Sequence, residues 1–378
     1  MKIVIAPDSF KESLSAPEVA SAVEKGFRQV LPEAEYVKVP MSDGGEGLVE
    51  ALANATDGQI IEKQVTGPLG DPVQGFFGIS GDGKTAVIEM AAASGLHLVS
   101  QNKQNPLMTT SRGTGELILE ALDHGVEHMI IGLGGSATND GGVGMLQALG
   151  VQLLDTDGRN IGDGGGVLSQ LANIDISQLD RRLAEVKLDI ACDVSNPLLG
   201  PQGASSVFGP QKGATPEMVQ TLEGNLTHFS DVIERDLGKR VAHVAGAGAA
   251  GGLGAAFIAF LPSTLKKGIE IVMEACHLEE HVKEADLVIT GEGKIDSQTA
   301  YGKVPAGVAD IAKKYEVPVI GIAGSLSEGH EAVHEHGIDA LFSSVPGVIT
   351  IEEALGNAPE NIQRTSKNIA SVIKIFLQ

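Results

Sequence analysis

The sequence predicts an α/β fold in which both chain ends form a Rossmann-like domain with a parallel sheet, and a second, mixed α/β domain is inserted between them. The chain has 378 residues, of which 42% are hydrophobic, enough for two domains with separate cores. Strands alternate with helices at both ends, whereas short strands with Gly-Pro and Gly-Asp-Gly turns follow one another between them. The expected domain bounds are 1–57 with 278–378, and 58–277.

The outer segments carry the alternating pattern. Ser15-Ala16-Pro17 is typical of a helix start, with serine as the N-cap and proline just inside the helix. Helices are also expected at 304–315, near Glu331 and at 361–377, where apolar residues recur at helical spacing. The expected strands are 2–6, 36–39, 286–290, 317–323 and 340–345.

The inserted segment is expected to begin with antiparallel hairpins and to continue with buried strands and helices. The expected strands are 60–65, 73–79, 85–90, 129–131 and 187–191. The helical patterns lie at 115–122, 143–149, 217–237, 246–260 and 265–275.

The charge of the chain excludes some partners. It has 27 Lys and Arg against 49 Asp and Glu, a net charge of −22, so we expect no nucleic-acid partner. The same charge repels anionic substrates, so a phosphate site here needs a divalent metal and a few well-placed Lys or Arg.

Compartment and membrane association are also predicted from composition. Two cysteines far apart, Cys192 and Cys276, indicate neither a disulfide framework nor a zinc site. No apolar run approaches the roughly 20 residues that span a membrane. We therefore expect a cytoplasmic protein with no membrane partner.

A glycine-rich stretch at 132–142 follows a buried apolar strand and precedes a short helical pattern. Glycines such as Gly134 and Gly135 let the backbone approach a phosphate, and Ser136 and Thr138 can donate hydrogen bonds to it. Asp140 is only an acceptor, which suits a metal ligand or a proton acceptor. The alternative is that Asp140 is an ordinary helix N-cap in a tight turn.

Two other glycine motifs are interpreted as misleading. Residues 78–85 fit the phosphate-loop pattern GxxxxGK-Ser/Thr, but a strand rather than a helix is expected after them. Residues 246–251 fit the dinucleotide pattern GxGxxG, but the acidic residue expected about 20 positions later is missing. A close-packed helix start is favoured for 246–251.

Polar loops follow the apolar strands of the expected Rossmann-like domain, and in a parallel sheet they meet at one edge. Several such loops that mix lysine with carboxylates indicate a functional site. Together with the inserted segment they supply the cations that the acidic chain needs for phosphoryl transfer with Mg²⁺, which are Lys11, Arg112, Lys212, Lys294 and Lys303.

Seven stretches of the chain resemble the signature motifs of the type-1 bacterial glycerate kinases, in order and over the whole length. These stretches are 6–16, 42–47, 132–144, 191–198, 208–214, 246–254 and 285–296, the last together with 298–299 and 302–303. The resemblance implies ATP-dependent phosphorylation of D-glycerate with Mg²⁺ in glycerate and glyoxylate catabolism, with 2-phosphoglycerate as the product of most bacterial members. Lys294 stands where arginine is expected, which keeps the charge and loses bidentate geometry.

The residues then suggest individual roles. We expect the glycerate site to contain Asp8, Ser9, Lys11, Lys294 and Lys303, with Lys11 also acting in catalysis. We expect the ATP phosphates at Gly134, Gly135, Ser136 and Thr138, neutralised by Lys212. Asp296 or Asp193 is the expected base, and Asp43 or Asp140 the expected Mg²⁺ ligand.

Other readings remain open at this stage. The stretch 132–137 is also similar to the phosphate loop of homoserine and mevalonate-type kinases, which have another fold. A nicotinamide-dependent dehydrogenase rests only on the 246–251 motif. A non-enzymatic ligand-binding regulator would explain the glycines but not the carboxylates among the cations. A homodimer is kept as the expectation for assembly.

Overall fold

The computed structural model describes residues 1–42, 47–301 and 303–377. The strands are β1 (Lys2–Pro7), β2 (Glu35–Lys38), β3 (Gln59–Thr66), β4 (Pro72–Ile79), β5 (Thr85–Glu89), β6 (His128–Gly132), β7 (Gln152–Leu154), β8 (Asn173–Asp175), β9 (Lys187–Ala191), β10 (Ser263–Lys266), β11 (Leu287–Ile295), β12 (Val319–Leu326) and β13 (Ala340–Ser343).

The α-helices are α1 (Ala16–Arg28), α2 (Leu48–Ala55), α3 (Ala91–Ser94), α4 (Arg112–Asp123), α5 (Val143–Ala148), α6 (Ala204–Phe208), α7 (Pro216–Leu237), α8 (Leu253–Phe260), α9 (Gly268–Ala275), α10 (Leu278–Lys283), α11 (Val304–Lys314), α12 (Ile351–Gly356) and α13 (Ala358–Leu377). Within the described ranges, no helix is long and apolar enough to cross a membrane.

The chain divides into two compact units. Unit 1 contains Met1–Asp43, Glu50–Asp57 and Ile269–Gln378, and unit 2 contains Gly44–Val49 and Gly58–Gly268. The predicted fold class is confirmed, because one sheet is built from strands of both chain ends and a mixed sheet is built from the segment between them. The domain bounds given above stay a prediction about independently folding parts.

The sheet of unit 1 has five parallel strands in the order β13-β12-β11-β1-β2. Helix α1 buries an apolar stripe that includes Val19, Val23 and Phe27, and it packs against α13. Because all five strands run in the same direction, their carboxyl ends meet at one edge of the sheet. The loops expected to carry a site therefore converge there.

The sheet of unit 2 has six strands in the order β10-β9-β6-β5-β4-β3. The strands β3, β4 and β5 pair antiparallel, as their turn residues predict, whereas β5, β6, β9 and β10 are parallel. One face packs on a large aliphatic core with residues such as Met129, Ile131 and Ile190. The separate two-stranded antiparallel sheet of β7 and β8 was not predicted from the sequence.

Both helices expected within 246–275 are present, but each begins later than expected. The pattern at 265–275 forms α9 only from Gly268, because its first two residues belong to β10, an edge strand that pairs with β9. The pattern at 246–260 becomes an α-helix only at Leu253, because Gly251 and Gly252 have φ of +68° and +94°. Sheet pairing and left-handed glycines both depend on tertiary contacts, which override local propensity.

Strand β11 is longer than expected. The sequence predicts its end at Thr290, but it continues to Ile295, paired with a β12 that reaches Leu326. Side chains alternate between faces along a strand, so Glu292 and Lys294 point to the same side. The helix expected near Glu331 is also different, because 330–336 form a 3₁₀ segment.

Both misleading glycine motifs behave as interpreted. Lys84 of the phosphate-loop pattern lies in a hairpin turn before β5, and its ammonium group pairs with Glu127. In the GxGxxG stretch, a Cβ on Gly251 would lie 2.0 Å from the Thr138 carbonyl oxygen. The stretch is therefore a close-packed approach to another loop of unit 2 rather than an open dinucleotide turn.

Candidate functional site

A cavity of about 640 Å³ lies at the carboxyl edge of the unit 1 sheet. It is formed by the ends of β1, β11, β12 and β13, by the start of α11 and by α12. Its volume falls within the roughly 300 to 1,000 Å³ usual for small-molecule sites. The charged side chains that line it are Asp8, Lys11, Glu12, Glu292, Lys294 and Lys303.

The five residues expected to form the glycerate site all line this cavity. They are Asp8, Ser9, Lys11, Lys294 and Lys303. The turn after β1 is held locally, because an Asp8 Oδ1 accepts a 2.6 Å hydrogen bond from the Ser9 backbone N–H. The net charge of −22 repels anions, but three lysines among the three carboxylates of the cavity provide local positive charge. The contact of each residue with substrate stays a prediction.

One wall of the cavity is apolar. Phe10 lies on one side, and α12 with the turn before it contributes Ile349, Ile351 and Leu355. Ile351 is 80% exposed, so this wall is open to solvent at its rim. The cavity thus offers apolar surface beside convergent polar groups, the usual composition of a small-molecule site.

A buried cluster occupies the inner end of the cavity. Glu292 of β11 is 7% exposed, and its Oε1 accepts a 2.5 Å hydrogen bond from the Thr299 hydroxyl. The Lys303 ammonium donates to the Glu292 Oε2 at 3.3 Å. Burial raises the pKa of the Glu292 carboxyl, while Thr299 and Lys303 act in the opposite direction.

Asp296 lies just after β11 and has different surroundings. Its carboxylate is 3.0 Å from the Lys294 ammonium, and its Oδ1 accepts a hydrogen bond from the Gln298 backbone N–H. The Lys294 charge and this bond lower the pKa of the Asp296 carboxyl. Asp296 is therefore a weaker proton acceptor than Glu292 in this structure.

In unit 2, the glycine-rich loop follows β6 as expected. Gly134 and Gly135 are exposed, whereas Ser136, Thr138 and Asp140 are buried. The loop is pinned by backbone bonds, such as the one from the Ala137 N–H to the Ser94 carbonyl at 2.9 Å. The loop thus exposes its two glycines and buries the polar side chains that follow them.

Lys212 lies beneath this loop. It is 2% exposed, and its ammonium donates to the Ser136 Oγ at 2.7 Å and to the Thr138 carbonyl oxygen at 2.6 Å. Burial lowers the pKa of Lys212 to about 7, and the charge of Asp140 partly opposes this shift. The lysine connects a loop expected to bind phosphate with the turn after α6, a link that no local pattern in the sequence indicates.

Asp140 is fully buried and accepts four hydrogen bonds. Its Oδ2 accepts from the Ser111 N–H and hydroxyl and from the Gly144 N–H, and its Oδ1 accepts from the Gly142 N–H. The N–H groups of Gly142 and Gly144 at the start of α5 therefore bind the carboxylate of their own loop. The metal role of Asp140 stays a prediction. The N-cap of α5 is Gly142, and Asp140 lies two residues before it, where its side chain accepts the N–H groups of Gly142 and Gly144.

Two buried atoms of the same loop have no hydrogen-bond partner in the part of the chain that the structure describes. They are the Thr138 Oγ1 and the Asn139 Oδ1, in side chains that are 0% exposed. Nearly all buried polar atoms are paired, so unpaired ones mark strain or an unfilled partner position.

The remaining candidates lie elsewhere. Asp193 is exposed after β9, and its Oδ1 accepts from the Gly268 N–H at 2.9 Å. The Arg112 guanidinium is engaged by Asp163 and Gln147, which fits a structural role. Asp43 lies outside the described residues. Across the described residues, no three His, Cys, Asp or Glu side chains are grouped so that they could hold a metal ion.

The sequence places Glu292 and Thr299 in a polar stretch expected to carry the site, but neither residue is given a role of its own there. A signal was present, because period-two alternation in a strand would have placed Glu292 beside Lys294. It was overlooked because the strand was expected to end at Thr290, before these residues.

A lysine-bearing cavity at the carboxyl ends of parallel strands and a lysine-backed glycine loop are features of small-molecule kinases. The sequence model of the glycerate kinase family matches residues 3–374. The chain therefore belongs to the glycerate kinase family. It has the activity of a glycerate kinase, a phosphotransferase whose substrates are glycerate and ATP.

Individual relatives agree over nearly the full length. Glycerate kinase of Bacillus subtilis (strain 168) is 62% identical over 375 residues, covering 99% of this chain and 98% of the relative. Glycerate 2-kinase of Escherichia coli (strain K12) is 60% identical, covering 100% and 99%. A crystal structure from Salmonella typhimurium LT2 has a TM-score of 0.93 at 58% identity, covering 100% and 99%. The dehydrogenase, regulator and mevalonate-type kinase readings are set aside.

Proposed function

We propose that the protein transfers the γ-phosphoryl group of ATP, bound with Mg²⁺, to the 2-hydroxyl of D-glycerate. The observation that carries the proposal is the unit 1 cavity, where polar loops from four parallel strands bring three lysines together. The 2-position is supported by the Escherichia coli relative named glycerate 2-kinase.

Glycerate is proposed to bind in the unit 1 cavity. Its carboxylate is a single negative charge, which matches the cationic side chains Lys11, Lys294 and Lys303, and its hydroxyls suit Asp8 and Ser9. The Lys303 ammonium pairs with the Glu292 carboxylate, and the Lys294 ammonium pairs with the Asp296 carboxylate. These ion pairs hold the two ammonium groups in place. Held ammonium groups lose less freedom when an anion binds.

The ATP phosphates are proposed to bind at the unit 2 loop. The exposed Gly134 and Gly135 let a phosphate approach the backbone, Ser136 and Thr138 supply hydroxyls, and Lys212 supplies positive charge below them. The unpaired Thr138 Oγ1 supports this placement, because it is a hydroxyl that no described protein atom satisfies.

Magnesium is proposed to arrive with ATP. Mg²⁺ in kinases is held by one or two carboxylates together with the substrate phosphates, so it does not require a group of protein ligands. Both Asp140 oxygens already accept hydrogen bonds, so this residue fits poorly as a ligand in the described loop. The bound ion would neutralise the charge that develops on the phosphoryl oxygens.

Phosphorus NMR of the protein with ATP, Mg²⁺ and D-glycerate tests the reaction. We expect a phosphate-ester resonance that requires glycerate and is split by one proton, since the 2-carbon carries one hydrogen. Splitting by two protons would mean the 3-position, and no ester resonance would contradict the proposal.

The placement of glycerate is tested with Lys11→Met. We expect the KM for glycerate to rise at least about tenfold, with a much smaller change in the KM for ATP, because a charge-assisted bond to the carboxylate is lost. Lys25→Met, on the exposed side of α1, is the matched control. An unchanged KM for glycerate would remove Lys11 from the site.

Asp296→Asn and Asp193→Asn test whether either aspartate is the catalytic base. If either aspartate takes the proton of the accepting hydroxyl, its amide variant should fold and lose about 10²-fold or more in kcat. Near-normal turnover in both variants would place the base elsewhere.

A cytoplasmic location is supported by the use of ATP and by two free cysteines, Cys192 and Cys276. The homodimer stays a prediction. Light scattering tests it against the monomer mass of 39.1 kDa.

A further inference from the structure

Glu292 is a buried carboxylate inside the proposed glycerate site, and beyond its pairing with Lys303 it has been given no part in the reaction. Its side chain is 10% exposed, and it lines the cavity together with Lys294 and Lys303. Burying a carboxylate is costly unless it is well paired, so such a group inside a substrate cavity calls for an explanation.

The hydrogen bonds around Glu292 hold both of its oxygens in place. The Thr299 Oγ1 accepts from the Asp296 backbone N–H at 3.1 Å, which directs its own proton to the Glu292 Oε1. The Lys303 ammonium fixes the Oε2. A carboxylate oxygen has two lone pairs, so each Glu292 oxygen keeps one for a further donor.

The other carboxylates of the cavity are less suited to accept a substrate proton. Asp8 accepts the N–H of the neighbouring Ser9 in its own turn. Glu12 is exposed at the rim. Asp296 is held by Lys294 in its ionised form. Glu292 combines burial, at 7% exposure, with two positioning partners and a lone pair left on each oxygen; Asp8, at 6% exposure, is comparably buried.

We propose that Glu292 is the catalytic base that takes the proton of the accepting glycerate hydroxyl, with Thr299 and Lys303 as its positioning residues. The inference rests on the proposed placement of glycerate in this cavity. As the hydroxyl oxygen bonds to the γ-phosphorus, its O–H bond breaks and the proton passes to a Glu292 oxygen. The bond from the γ-phosphorus to the bridging oxygen breaks, and ADP leaves with that electron pair. Glu292 then returns its proton to solvent.

Glu292→Gln is the first test, because glutamine keeps the shape and one acceptor oxygen but cannot take a proton. We expect kcat to fall by about 10²-fold or more, while the KM values of glycerate and ATP stay within about threefold. A kcat within about threefold of the wild-type value would overturn the proposal. So would a loss confined to glycerate binding, measured by calorimetry, because that would make Glu292 a binding residue.

Glu24→Gln is the matched control, since Glu24 of α1 also pairs with a lysine, Lys38, and is 18% exposed outside the cavity. It should keep wild-type turnover. Glu292→Asp is the second variant. It also tests the proposal if Glu292→Gln does not fold. It keeps a proton acceptor one methylene further back, so its kcat should be lower than wild type and higher than that of Glu292→Gln. An unchanged kcat in Glu292→Asp overturns the proposal.

Failure of the proposed function and failure of the base assignment give different experimental results. If no glycerate-dependent phosphate ester forms, or Lys11→Met leaves the KM for glycerate unchanged, the proposed function or its site is wrong. If the ester forms and Lys11→Met behaves as expected, but Glu292→Gln retains turnover, only the assignment of the base is wrong. Loss of kcat in Asp296→Asn with retention in Glu292→Gln would assign the base to Asp296.

Discussion

Lys212 shows how a single residue can depend on its whole surroundings. Its ammonium is enclosed by the Ser136 hydroxyl and the Thr138 carbonyl, and burial lowers its pKa to about 7. Below that pH the free enzyme carries a positive charge under the glycine-rich loop, and above it the charge is lost. Phosphate attraction by this loop should therefore depend on pH.

We expect kcat/KM for ATP to decrease as pH rises from about 7 to about 9, because Lys212 becomes neutral in the free enzyme. Initial rates at varied ATP concentration across this range provide the measurement. In Lys212→Met, kcat/KM for ATP should be lower than in the wild type at neutral pH, and it should not decrease further as the pH rises. A variant that keeps the wild-type profile would show that another group titrates.

Asp140 is the residue whose expected role changes most. A carboxylate that accepts four hydrogen bonds in a fully buried turn organises the loop and the start of α5. An asparagine in its place would turn an NH₂ group toward N–H donors, which leaves buried donors unsatisfied.

Asp140→Asn should reduce the free energy of unfolding by about 3 kcal/mol, measured by urea denaturation. Asp157→Asn, at a 69% exposed side chain, is the control and should change it by less than about 0.5 kcal/mol. A fully stable Asp140→Asn that needs a much higher Mg²⁺ concentration for activity would instead support the metal role.

At the scale of elements, the strands and helices at the chain ends were predictable because apolar runs and helix caps are local signals. The edge strand β10 was not, since only its pairing with β9 makes Ser263–Lys266 extended. The end of β11 was missed for the same reason. Its last residues are polar and glycine-rich, and their partner is the equally extended β12.

The approach of the 246–254 stretch to the glycine-rich loop can be tested with two glycines of nearly equal φ. Gly251 has φ +68° and a Cβ there would meet the Thr138 carbonyl oxygen at 2.0 Å, whereas Gly238 has φ +67° and open space. Gly238→Ala should cost about 1 kcal/mol of stability. Gly251→Ala should cost at least about 2 kcal/mol more and raise the KM for ATP, because it displaces the carbonyl that Lys212 binds. Equal losses of stability would contradict this packing argument.

At the scale of the whole molecule, an acidic chain acts on two anionic substrates. The net charge of −22 repels ATP and glycerate at long range, while the lysines proposed to bind them act at short range, and one of these, Lys212, is buried. Salt screens exposed, distant charges more strongly than buried pairs.

We therefore expect kcat/KM for ATP to rise or stay level as ionic strength increases from about 10 mM to about 150 mM at constant free Mg²⁺. Steady-state rates in a chloride series measure this. A steep fall would show that attraction by exposed lysines dominates over the net charge.

The sequence by itself determined the class of fold, because hydrophobic periodicity and turn residues are local, and it determined the family, because long motifs recur in order. It also identified five of the residues that line the cavity, since parallel strands bring their carboxyl ends to one edge. Only the tertiary structure decided how these groups are paired. The contacts of Glu292 with Thr299 and Lys303, and those of Lys212 with Ser136 and Thr138, depend on burial and on distances between side chains. Those distances are set by packing, and a one-dimensional pattern does not contain them.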